Sequence, residues 1–155
     1  MNDKDRIRDF MIFRDFTPED LESILQFASE IDYEAGDVIL EKSISESRYD
    51  LFVVLKGFVK VEIDLIQSET PKKLSKKLAI LKHGAVLGEI GMLRGIGRSA
   101  RVLAYSDVTV LKIDQNKLIG HLEANHRLGY IFMRNLATIL ADRLLDINFR
   151  WRDAL

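Results

Sequence analysis

Apolar and polar residues change their spacing twice along this chain, and the two changes divide it into three parts. In the first part Thr17-Pro18-Glu19-Asp20 reads as a helix start, with a capping hydroxyl, a proline at the first helical position and acids in the first turn. Leu21, Ile24, Leu25 and Ala28 follow on one helical face. Ahead of them, Phe10-Met11-Ile12-Phe13 and Phe16 predict a short helix or turn. In the second part the period drops to two. Val59-Lys60-Val61-Glu62-Ile63 alternates strictly, and Leu51, Val53 and Leu55 offer a matching inward row. Turn signals punctuate this part at Ala35-Gly36-Asp37, Lys56-Gly57, His83-Gly84 and Tyr105-Ser106-Asp107. Several short strands separated in this way predict a sandwich or barrel.

The third part is helical again. Asp114 is placed to cap a short helix running to about Leu122, and a long helix extends from about Asn125 to Phe149, about 37 Å at the usual rise. Phe132, Leu136, Leu140, Leu144, Ile147 and Trp151 form a stripe along it at steps of three and four, expected to face the β region, with its far end open to a second copy. The expected architecture is one domain over residues 1–155, mainly β with flanking helices: helical over 8–29, β over 31–113 and C-terminal helices over 114–151.

Composition narrows the function classes. A chain of 155 residues, 47% hydrophobic and 30% charged, can bury a proper core and reads as a globular domain. It has no cysteine, which excludes disulfides and thiolate metal sites. His83, His121 and His126 are scattered, so no metal site is expected, and the histidine cluster of a metal-dependent cupin is missing. A net charge of −1 argues against direct nucleic-acid binding. No apolar run suggests a membrane span, and Asp3, Lys4, Asp5 and Arg6 are unlike a secretory signal, so a cytoplasmic location is expected. The basic run Pro71-Lys72-Lys73-Leu74-Ser75-Lys76-Lys77 reads as a solvated loop between strands, with a docking patch for an acidic partner as the alternative.

The densest chemistry lies between Gly88 and Ala100, G-E-I-G-M-L-R-G-I-G-R-S-A. An ionised Glu89 only accepts hydrogen bonds and suits a sugar hydroxyl. The Arg98 fork suits two oxygens of one phosphate, and Ser99 and Ala100 are small enough to let a ligand approach the backbone. A helix starting near Glu89 would aim unbonded N–H groups at the same phosphate. The overlapping run Gly95-Ile96-Gly97-Arg98-Ser99-Ala100 spells a loose dinucleotide fingerprint, but strand-like sequence follows it where that fingerprint needs a helix. A Walker loop fails on spacing and on the absence of its lysine. Arg94 reads as exposed rather than functional. A structural ion pair between Glu89 and Arg98 would leave Gly88, Gly91, Ser99 and Ala100 without a role.

This segment resembles the phosphate-binding cassette of cyclic nucleotide-binding domains, through Gly88, Glu89, Ile90, Gly91 and Met92 and then Arg98, Ser99 and Ala100. Gly36, Gly57 and Gly84 also fall at the family's turns, so the resemblance extends over about residues 10–150. It implies a β-roll of jelly-roll type that binds a cyclic nucleotide, cyclic AMP in preference to cyclic GMP, with no catalytic residues and no cofactor. By the same resemblance Glu89 and the Gly88 backbone take the ribose 2′-hydroxyl. Arg98 and Ser99, with N–H groups of Ile90, Gly91 and Ala100, hold the cyclic phosphate. Met92 couples the cassette to the long helix, which caps the base, with Asn148 and Trp151 as its candidate contacts. The expected partners are the nucleotide and either a second copy through the C-terminal helix or an effector protein. The alternatives are a ligand-independent interaction or dimerisation module of the same fold, and a sensor domain separated from a transcription regulator.

Overall fold

The computed structural model describes residues 3–41, 50–66, 73–94 and 100–153. The chain divides into two compact units, one formed by Phe27–Leu118 and the other by Met1–Gln26 together with Ile119–Leu155.

The Phe27–Leu118 unit is a β-roll made of two four-stranded antiparallel sheets, ordered β1-β8-β3-β6 and β2-β7-β4-β5. The strands are β1 (Ala28–Tyr33), β2 (Val38–Leu40), β3 (Leu51–Lys56), β4 (Val59–Ile66), β5 (Lys73–Leu81), β6 (Val86–Leu87), β7 (Arg101–Ala104) and β8 (Val108–Ile113). Phe52, Val54, Val59, Val102, Ala104, Val108 and Val110 meet as one buried cluster. The alternation of β4 works as its sequence suggests: Val59 and Val61 turn to this cluster, while Lys60 and Glu62 form an ion pair of 2.8 Å on the other face. The β3–β4 turn depends on Gly57, whose φ is +87° and where a Cβ would lie 2.2 Å from the Asp107 carbonyl oxygen.

Three expectations about this unit are corrected. Most of the basic run is not a loop: Lys73, Leu74, Ser75, Lys76 and Lys77 belong to β5 and pair with β4 from Ile66↔Lys73 to Glu62↔Lys77. Ala28 belongs to β1 and not to a helical face, because α2 (Pro18–Leu25) stops earlier and β1 pairs with β8 from Ala28↔Ile113 to Tyr33↔Val108. Cross-strand pairing with a distant segment overrides the local apolar spacing. The inward row of Leu51, Val53 and Leu55 is also incomplete: Phe52 and Val54 supply the roll's core, and Leu51 and Val53 are buried as well. Leu51, Phe52, Val53 and Val54 are all buried, and a strand covered on both faces loses its two-residue signature.

In the other unit the helix start at Thr17 is a full capping box. The Asp20 N–H donates to Thr17 Oγ1 (3.1 Å) and the Thr17 N–H donates to Asp20 Oδ2 (2.9 Å). Leu21 and Ile24 are buried; α1 (Asp3–Arg8) and a 3-10 turn (Met11–Phe13) precede this helix. Asp114, which belongs to the β-roll unit, starts α4 (Gln115–Ala124) by accepting the Lys117 N–H, and Asn125 starts α5 (His126–Asp153) by accepting that of Leu128. Arg127 donates to the buried Asp20 and forms an ion pair with it. Ser23 Oγ donates to the Asp20 carbonyl and lies 2.9 Å from His121 Nε2.

The long stripe of α5 is not uniform. Leu128, Phe132 and Leu136 are buried and α5 packs there against Met11–Phe13, whereas Leu144 and Ile147 are at least half exposed. Asn135, 1% exposed, sits within the buried part and donates to the carbonyls of Ile12 (3.0 Å) and Arg14 (2.8 Å). Periodicity along α5 records which side is apolar but not how far along the helix a covering segment reaches.

Candidate functional site

The site begins where β6 ends. β6 pairs with β3 through Phe52↔Leu87 and Val53↔Val86, and the Val54 N–H donates to the Ala85 carbonyl, fixing the entry to the cassette. Gly88 then takes a φ of +82°, a left-handed conformation that side chains disfavour. This turn starts α3 (Glu89–Arg94), whose first helical bond runs from the Met92 N–H to the Gly88 carbonyl at 3.2 Å. The N–H groups of Glu89, Ile90 and Gly91 therefore belong to the opening turn, where a helix has no internal acceptors for them.

Helical spacing sorts the side chains of α3. Glu89 (6% exposed), Gly91 and Met92 face inward, while Ile90, Leu93 and Arg94 face out. A buried carboxylate costs free energy unless its surroundings compensate the charge, and Glu89 is engaged by an interaction within the chain. Ala100 is half-buried directly before β7. Arg98 and Ser99 lie outside the described residues, as does the rest of 95–99.

Val61, Leu81 and Ala85, which the sequence did not single out for the site, pack on the roll's central cluster while remaining partly exposed, as do Ile31 and Tyr33. The inward step of β4 is the only sequence signal for Val61; Leu81 joins it through the Val59↔Leu81 register. Asn148 is exposed on α5, in the other unit, and the Trp151 side chain lies outside the described part of the chain. Among the described residues no three His, Asp or Glu side chains cluster as metal ligands. Also among these, no helix is long and apolar enough to cross a membrane.

Known proteins agree with this architecture. The family model for the cyclic nucleotide-binding domain matches residues 30–125, and the chain belongs to that family. No curated protein matches the sequence significantly. Among solved structures, a cyclic nucleotide-binding domain from Methylobacillus flagellatus KT is similar with a TM-score of 0.81 and 21% identity, over 97% of this chain and 81% of that one. The catabolite activator protein of Thermus thermophilus gives a TM-score of 0.72 and 23% identity, over 92% of this chain. This chain spans 62% of that protein. The N-terminal domain of a transcriptional regulator from Streptomyces coelicolor A3(2) gives 0.69 and 21%, over 89% of this chain and 94% of that one.

Proposed function

We propose that the chain is a regulatory module that binds a cyclic nucleotide, cyclic AMP in preference to cyclic GMP, and carries out no reaction on it. The observation that carries this reading is the buried Glu89 directly after left-handed Gly88, at the head of α3 and inside the region matched by the family. Glu89 accepts from the ribose 2′-hydroxyl, with the Gly88 backbone beside it. The N–H groups of Ile90, Gly91 and Ala100 and the side chains of Arg98 and Ser99 hold the cyclic phosphate. Val61 and Leu81 offer apolar surface to the nucleotide, and Asn148 and Trp151 are the candidates for the purine. Such a ligand acts by its differential affinity for two states of the protein, with α5 as the element that reports the change.

Calorimetric titration with cyclic AMP and cyclic GMP tests the reading. Wild type is expected to bind, and Arg98→Ala to lose about 2–5 kcal/mol through an unpaired phosphate, with folding intact. Wild type that binds neither nucleotide at millimolar concentration overturns it. That outcome would favour a second reading, a ligand-independent dimerisation module, to which α5 also speaks. Met133, Ala137, Leu140, Leu144, Ile147 and Trp151 follow the alternating steps of four and three of a coiled-coil seam, and Met133, Leu144 and Ile147 are exposed.

A further inference from the structure

One face of the β-roll has apolar side chains that its own fold leaves uncovered. Val38, Phe58, Ile80 and Tyr105 are each 36–57% exposed. The register sets Val38 opposite Leu103, Leu103 opposite Lys60, and Lys60 opposite Ile80. Val59, Val102 and Ala104 enter the core, so strand alternation places this row on the outer face of the sheet. The ladder continues to Phe58 and Tyr105, whose N–H donates to the Phe58 carbonyl at 2.9 Å.

Hydrogen bonds tie the turns at this end of the face to the sheet. The Phe58 N–H donates to Ser106 Oγ (3.0 Å), the Ala104 N–H to the Asp37 carbonyl (2.8 Å), and the Gly36 N–H to the Ala104 carbonyl (2.7 Å). Binding to a platform ordered in advance avoids the entropy cost of fixing loops.

Arg101 supplies the second observation. It lies two residues before Leu103 on the same face and opposite Glu62, whose carboxylate is engaged by Lys60. Its Nε is buried with no hydrogen-bond partner, and among the described residues Arg101 forms no ion pair. Buried donors are rarely left unmatched, and a guanidinium fork is shaped for a carboxylate. At the other end of the face the charges reverse: Glu34, Asp37 and Asp107 are exposed, and the Ala35 N–H donates to Asp107 Oδ1.

The distance from Arg101 to Tyr105 is four strand steps, about 13 Å. Two to three turns of an α-helix cover that distance. We propose that the outer face of the β2-β7-β4-β5 sheet docks an amphipathic helix of another protein. A carboxylate near one end of that helix pairs with Arg101, its apolar row covers Val38, Phe58 and Tyr105, and a Lys or Arg near its other end meets Asp37 and Asp107.

Two synthetic helical peptides of about sixteen residues, long enough for the span, test the proposal. Both carry the same Leu/Ala row; one has Glu at the first end and Lys at the other, and its twin has Lys at both ends. Amide shifts in NMR titration are expected at β2, β4, β7 and Ile80, with the Glu-first peptide at least about tenfold tighter, roughly 1.4 kcal/mol. Arg101→Glu reverses that preference, Arg101→Gln abolishes it, and Phe58→Ser with Tyr105→Ser weakens both peptides. Equal binding of the twins, an unchanged preference in Arg101→Gln, or shifts elsewhere would overturn the proposal. So would concentration-dependent self-association of wild type that the Phe58 and Tyr105 changes abolish, which would assign the face to a second copy.

Discussion

Asn135→Ala removes the polar contact that joins α5 to the N-terminal segment, and its cost can be worked from the geometry. The amide donates to Ile12 O at 3.0 Å and Arg14 O at 2.8 Å, and its Oδ1 accepts from Arg134 Nη2 at 3.1 Å. Alanine leaves both carbonyls without this donor. Ile12 is fully buried, so its carbonyl loses about 1–3 kcal/mol; the contact at Arg14 is only partly buried and loses less. With the small cavity, the total is about 2–4 kcal/mol. For a chain of this length that lowers the melting temperature by about 5–15 °C. Asn135→Leu should not restore it, because the carbonyls stay unmatched however well leucine fills the space. Thermal and urea unfolding followed by circular dichroism read the effect, with Thr138→Ala as a mild comparison, since its hydroxyl bonds only within the helix at Arg134 O. A melting temperature for Asn135→Ala within about 1 °C of wild type would refute the view that these two bonds hold the segment to α5.

Two further outcomes are expected. Glu89→Gln should weaken cyclic nucleotide binding by about 1–2 kcal/mol, the difference between a charged and a neutral acceptor; calorimetry with the 2′-deoxy analogue should show a smaller loss for the mutant than for wild type, and equal losses would mean that Glu89 does not read the ribose. Burial pushes the Asp20 carboxyl up, but the hydrogen bond and charge of Arg127 and the two bonds to Thr17 outweigh it and hold the pKa below 3.8. Because the folded value is the lower one, the stabilisation is complete at neutral pH and is lost as pH falls below about 3.8 through the folded value. The stability advantage of wild type over Asp20→Asn in urea titrations should therefore shrink between pH 7 and pH 3, and a constant gap would show that ionised Asp20 is not what stabilises the fold.

Features that depend on neighbours in the chain could be read from residue order. Thr17, Asp114 and Asn125 mark helix starts because a capping side chain needs only the N–H groups two or three residues ahead. Gly57 and Gly84 mark turns because the left-handed conformation is a property of one residue. The family resemblance was legible for the same reason: the residue types that carry it fall close together in one segment. The rest depended on packing. Ala28 joins a strand because β8 lies beside it, and β3 hides its alternation because both its faces are covered. Val61 and Leu81 come together across strands. Asn135 looks like a polar interruption of an apolar stripe until the carbonyls of Ile12 and Arg14 are seen to meet it across more than a hundred residues of chain. Likewise Arg101 reads as an ordinary strand residue; only the register that places it beside an already engaged Glu62 reveals a donor without an acceptor. Caps and turns are local energies, written in adjacent residues. Burial and hydrogen-bond matching are sums over partners that only folding brings within reach.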